Sequence, residues 1–348
     1  MPNETVARKP RADGTLYTLQ AGRGLAAFAV VLHHADNAVA KQVGALPDWL
    51  SAIAAYGYLG VDFFFVLSGF IIYYVNYSRV DRPGFARAYL TSRTTRVYIP
   101  YWPIGIAVGM AYLLFADLAS AGREWDWFST ITLLPSFEHP ALGPAWTLQH
   151  EVVFYLFALV AFLSRRFWLV MAGGVVLAVA GWFMFPTNFK AMGLVDLEFL
   201  FGVIAAWLFV QGRLANQPVL IAVGLAACSV FFLAIDQRFY SVVFGLGVAF
   251  LLLAVVREEA AGKVAVGRFL RLLGDASYAI YLIHYPMMSV GARLGDSLHP
   301  MTVFIGLSAF SVIAGIVYHL AFEKPAIRWV KARIDRPAKE RRKVAQKA

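Results

Sequence analysis

Residues 56–77 read YGYLGVDFFFVLSGFIIYYVNY, from Tyr56 to Tyr77, with Asp62 as the one charged residue among 22. At 1.5 Å per residue a helix of this length reaches about 33 Å, enough to cross a hydrocarbon core about 30 Å thick. The rest of the chain is of the same kind. Sixty per cent of its 348 residues are hydrophobic, 15% are charged, and mean hydropathy is +0.63. A soluble domain carries roughly 25% charged residues.

Nine more apolar runs are expected to span: Gln20–Ala40, Val97–Leu118, Trp146–Leu163, Phe167–Phe185, Leu194–Gln211, Pro218–Ile235, Tyr240–Val256, Leu273–Ala292 and Met301–Phe322. The expectation is an all-α bundle of about ten transmembrane helices in one membrane domain, residues 1–330. A basic cytoplasmic tail, 331–348, follows. Only Asp236-Gln237-Arg238 divides two of the runs. No internal repeat is visible.

The net charge of +10 could point to nucleic acid, but its distribution argues against that. With the N-terminus inside, 25 of the 31 Lys and Arg residues fall in inside segments and five outside; Arg23 lies within the first run. This asymmetry sets orientation, favours an even number of spans and meets anionic lipid headgroups. The expectation is a multi-pass protein of the bacterial inner membrane with both termini in the cytoplasm. A basic start and Ala38-Val39-Ala40 resemble a secretory signal. Arg23, His33 and His34 interrupt that stretch and argue for retention. Cys228 is the single cysteine, so no intramolecular disulfide is expected.

Ionisable residues inside a bilayer are costly and point to function. Arg23 and His34 are eleven residues apart, about three helical turns, so they share one face within about 20°, roughly 16 Å apart along the axis. His33 is turned about 100° away and is expected to pack or bond to backbone. Two layers emerge. An inner, cationic layer holds Arg23, Arg93 and Arg96. A deeper layer holds His34, Asp62, Glu151 and His284, with Glu198 nearby. A histidine beside a carboxylate can do acid–base work. Arginine forks match phosphate oxygens. Together they suit an elongated substrate with a phosphorylated head and a reactive end, as a coenzyme A thioester has. No metal-ligand spacing is present. Ser68 is expected to bond to its own helix backbone.

Several blocks carry a family likeness. They are Arg23-Gly24-Leu25 through His34; Gly60 to Phe70; Arg93-x-x-Arg96 with Pro100-Tyr101-Trp102; Trp146-Thr147-Leu148 with Glu151, Phe154 and Tyr155; Glu198 to Gly202; Leu273 to Tyr278 with Tyr281-Leu282-x-His284; and Glu323-Lys324-Pro325. In this order, over residues 16–330, the chain resembles the membrane acyltransferase-3 family of bacterial O-acyltransferases. Members of that family acetylate exopolysaccharide, lipopolysaccharide and Nod factors. There are departures. Gln20 stands where many members have Asp, and the Arg96–Pro100 interval is one residue longer than in many. An extracytoplasmic esterase-like domain, fused to some relatives, is expected to be absent.

The resemblance implies acyl transfer, most often of acetyl, from cytoplasmic acyl-CoA to a hydroxyl of a surface glycan or lipid-linked sugar. Acyl-CoA is then a co-substrate and no cofactor stays bound. Arg23, Arg93 and Arg96 would hold the donor phosphates. His34 would act as general base or carry the acyl group itself. Glu151 or Asp62 would orient it, and His284 would take part or make structural hydrogen bonds. The competing expectation is a transporter or flippase without chemistry. The oligomeric state is open.

Overall fold

The computed structural model describes residues 16–115, 124–184, 193–214, 216–233 and 237–345. Arg8, Lys9, Arg11, Arg123, Lys190, Asp236 and Lys347 lie outside the described residues. Every element named below is a helix, and among the described residues the only β-type pairing is one isolated bridge, Trp125 with His139.

Apolar composition sets the helices, and each expected run coincides with one or two of them. They are α1 (Tyr17–Gln42), α2 (Asp48–Ala55), α3 (Leu59–Asn76), α4 (Phe85–Leu114), α5 (Trp127–Thr132), α6 (Trp146–Leu163) and α7 (Phe167–Met184). Then follow α8 (Asp196–Val210), α9 (Gln217–Leu233), α10 (Gln237–Ala260), α11 (Arg268–Asp275), α12 (Ser277–Leu294), α13 (Pro300–Tyr318) and α14 (Lys324–Ala345). A π-helical turn, His319–Glu323, joins α13 to α14, which runs without a break past residue 330.

Six helical stretches among the described residues are long and apolar enough to cross a membrane: Asp48–Asn76, Phe85–Leu114, Gly143–Leu163, Phe167–Met184, Ser241–Ala260 and Pro300–Ile334. The protein is a multi-pass membrane protein. The helices over the other four runs are shorter or more polar: α8 has 15 residues, α9 has 17, and α1 and α12 carry the site residues described below. The run Leu273–Ala292 is not one helix; it breaks at Ala276, between α11 and α12.

Without water between helices, association relies on close backbone packing at small residues. The α3–α8 seam shows this. A Cβ on Gly202 would lie 1.8 Å from the Val66 carbonyl oxygen, and one on Gly69 would lie 1.9 Å from that of Phe199. Gly24 of α1 and Gly274 of α11 form a second seam, where a Cβ on Gly274 would meet the Gln20 carbonyl oxygen at 2.0 Å. Between the seams, aromatic rings fill the interior. Phe199 lies 4.3 Å from Phe154 and 4.6 Å from Phe65, centroid to centroid. The outer faces carry exposed apolar side chains such as Leu113, Val176 and Ile313. In lipid these cost nothing to expose.

Candidate active site

The α1–α11 seam fixes the first site residue. It brings α1 against the start of α12, where Arg23 Nε donates to Ser277 Oγ at 3.2 Å. Ser277 is itself oriented, donating to the Gly274 carbonyl at 2.8 Å. Arg23 forms part of the wall of two cavities. One encloses about 560 Å³ and is lined by apolar Val61, Phe64, Phe65, Leu67, Ile71 and Leu148, with Ser68, Thr147, Glu151 and Tyr281 as polar points. The other, about 840 Å³, has Arg23, Arg96, Lys324 and Arg328 in its wall, with Asp275 and Glu323.

Glu151 of α6 faces the apolar cavity. Its Oε1 accepts from Ser68 Oγ at 3.1 Å and from the Tyr155 hydroxyl. The expectation for Ser68 is therefore corrected: its hydroxyl bonds across helices rather than to its own backbone. A carboxylate is a stronger acceptor than a helix carbonyl already engaged in the ladder. Tyr281 closes another side, donating to the Pro144 carbonyl at 3.0 Å and lying 2.7 Å from the Thr147 hydroxyl.

Of the three arginines grouped from the sequence, Arg23 and Arg96 share the cationic wall and Arg93 lies outside it. Arg96 donates to fully buried Glu323 at 2.9 Å, and Glu323 also bonds His319 Nδ1 at 2.8 Å. The guanidinium of Arg96 sits 5.6 Å from the Tyr278 ring centroid. Arg93 packs over Tyr155 and Tyr89, at 5.7 and 6.0 Å, and its Nε has no hydrogen-bond partner. Arg93 is absent from the wall of the cationic cavity; Lys324 and Arg328 are present.

His34 and Arg23 both meet α12, His34 through His284, with ring centroids 4.9 Å apart. His34 Nδ1 lies 3.0 Å from the Val30 carbonyl oxygen. Only an Nδ1–H can bond there, so Nε2 carries the lone pair. Among the described residues no hydrogen bond joins His34 to Glu151 or Asp62. Glu151 is engaged as above, and Asp62 faces Glu198 of α8, held beside it by the Gly69–Gly202 seam. Both Glu198 oxygens are buried without a partner of hydrogen-bond geometry. His284 is fully buried, and neither ring nitrogen has a partner of full hydrogen-bond geometry; its nearest backbone acceptors are on Ile280 and Tyr281 of its own helix. His33 bonds the Ala54 carbonyl at 3.3 Å and Asn37 at 3.0 Å.

Sequence reasoning met Ser277, Tyr155, Glu323 and Lys324 within the family blocks without giving them a role, counted Arg328 only as a charge, and passed over His319. Two of these had a signal. Glu151–Tyr155 and His319–Glu323 are each four apart, the spacing of helical neighbours. It also passed over the pair of buried His150 and half-buried Asp196, at 2.8 Å. Among the described residues no group of three His, Cys, Asp or Glu could hold a metal ion.

This architecture meets a family model described as an acyltransferase domain, matched over residues 16–320. The chain belongs to the acyltransferase-3 family, and its activity is that of an acyltransferase. It is 31% identical over 296 residues to the exopolysaccharide production protein ExoZ of Rhizobium meliloti (strain 1021), covering 80% of this chain and 92% of ExoZ. It is 24% identical over 330 residues to the peptidoglycan O-acetyltransferase OatA of Listeria monocytogenes serovar 1/2a, covering 80% of this chain and half of OatA. No solved structure matches. Membership of an enzyme family sets aside a transporter without chemistry.

Proposed function

We propose that the protein moves an acetyl group from cytoplasmic acetyl-CoA to a hydroxyl of a surface glycan or lipid-linked sugar, in the bacterial inner membrane. The observation that carries this is the position of Arg23. One guanidinium borders a larger cationic cavity on one side and a smaller, mostly apolar one on the other. A coenzyme A thioester has that division: phosphorylated head, then a thin amide-bearing arm. The names of ExoZ and OatA, an exopolysaccharide protein and a peptidoglycan O-acetyltransferase, support a glycan acceptor.

His34 is the general base. Its bond to Val30 leaves Nε2 free to accept a proton. The acceptor hydroxyl loses its proton to Nε2 as its oxygen attacks the thioester carbonyl. The intermediate expels coenzyme A thiolate, which recovers the proton, so base and donor emerge balanced. Glu151 serves as the anionic counterpart of Arg23 across the apolar cavity, and its bonds to Ser68 and Tyr155 fix it there. Asp62 supports the α3 wall beside Glu198. His284, packed on His34, limits where that ring can turn.

On this reading the chain spans ten times with both termini in the cytoplasm, and the cationic cavity opens on the donor side. Reporter fusions after Arg82 and Lys343 should read as cytoplasmic, and one after Arg123 as extracytoplasmic. The activity is tested in inverted membrane vesicles supplied with [14C]acetyl-CoA. Label should enter the glycan fraction, and an equal amount of His34→Ala protein should leave that fraction unlabelled. Full labelling by the variant would remove His34 from the chemistry.

A further inference from the structure

Lys324 and Arg328 stand four residues apart on α14, so they are neighbours on one helix face, with Cβ atoms about 5–6 Å apart. Both are exposed, and both line the 840 Å³ cavity. Among the described residues neither has an ion-pair partner. Deeper in, Arg96 is held by Glu323 and Arg23 bonds only the neutral Ser277 hydroxyl. The wall holds four cationic side chains against Asp275 and Glu323, with Gln20 and His319 as the other polar groups. An unanswered cationic surplus in a concave site asks for an anion with more than one charged group. The cations also fall at two depths. Arg23 is half-buried at the junction with the apolar cavity, while Lys324 and Arg328 stand at the mouth.

We infer that Lys324 and Arg328 form a separate phosphate subsite that reads the ribose 3′-phosphate of a coenzyme A thioester, while Arg23 and Arg96 take the pyrophosphate beside its arm. The inference rests on the acyl-CoA reading above and deepens it. A 3′-phosphate and a 5′-pyrophosphate carried on one ribose match two cation groups at different depths of one cavity. The same phosphate chemistry is offered by lipid headgroups, which basic residues at a membrane surface often meet. The neighbouring cavity favours the nucleotide. Its lining carries Ser68, Thr147, Glu151 and Ser277 among the apolar residues, polar points that suit an amide-bearing arm better than a pair of hydrocarbon tails.

The test uses the full chain in phosphatidylcholine nanodiscs and measures Kd by calorimetry for acetyl-CoA and for acetyl-dephospho-CoA, which lacks the 3′-phosphate. The wild type should prefer acetyl-CoA by about tenfold, the scale of one charge-assisted contact. The double variant Lys324→Ala/Arg328→Ala should lose that preference while binding acetyl-dephospho-CoA as the wild type does. Arg328→Lys should keep most of the preference, and Arg23→Ala should weaken both donors together. A double variant that keeps the preference, or weakens both donors alike, overturns the subsite and leaves the acyl-CoA reading intact. A wild type without that preference, whose binding of phosphatidylglycerol vesicles is lost in the double variant, assigns the two cations to lipid and also overturns it. A wild type that binds neither donor removes the acyl-CoA reading and this subsite with it.

Discussion

Arg96, Glu323 and His319 form a closed set in which each charge meets a partner within 2.9 Å. Around His34 the opposite holds. His284 is buried with no partner of full hydrogen-bond geometry, and Glu198 is buried against Asp62, one carboxyl facing another. Buried polar groups are nearly always hydrogen-bonded, so each exception asks for a reason. The contrast separates two tasks. The Arg96 set holds a binding wall in shape before a ligand arrives. Around His34, Nδ1 is tied to Val30, which leaves Nε2 as the atom that, on the proposed function, a proton transfer would use.

The largest effect that can break this contrast comes from His34. Its replacement by Ala should lower acetyl transfer by about 10²–10⁴-fold, the range of a general base, without changing the amount of inserted protein. If His34 instead carries the acyl group, rapid quench with acetyl-CoA alone should show one added acetyl by intact-protein mass spectrometry. We expect none, because an acyl-imidazole hydrolyses readily where an outside acceptor can enter. Next comes the closed set. Glu323→Gln keeps the shape but removes the charge from Arg96 and His319, and should cost about 1–3 kcal/mol, read as a lower thermal midpoint in detergent. An unchanged midpoint would mean the set does not hold the wall. Arg96→Lys keeps the charge but loses the planar fork, and should raise the KM for acetyl-CoA by about tenfold. The smallest effect is at His33. It bonds to Ala54 and Asn37, away from α12, so His33→Ala should keep activity within about threefold of wild type, a factor worth about 0.6 kcal/mol. Equal losses at His33 and His34 would dissolve the distinction between the two faces of α1.

Much of the frame was legible because a bilayer leaves a chain few options. The apolar runs fall on helices, and the eleven-residue interval puts Arg23 and His34 against the same partner helix. Periodicity says which face a residue occupies but not which helix that face will meet. Hence Arg96 was legible as a cation and its bond to Glu323, 227 residues away, was not. The same holds for Ser68 and Glu151, 83 residues apart. The break at Ala276 escaped because residues 273–292 are apolar enough throughout to read as one run. Lys324 and Arg328 looked like topology signals, since only the π turn before them swings α14 alongside Arg23.

Arg23 gives this enzyme a design constraint. A single guanidinium borders both cavities, which on the proposed function are the space for the donor's head and the space for its arm. No substitution there can retune one space alone. An engineer seeking a longer acyl group by carving the apolar side near Arg23 will disturb nucleotide affinity in the same stroke. Re-specification should instead start from the far walls, at Val61 and Leu148 for the acyl chain and at Ile327 for the head.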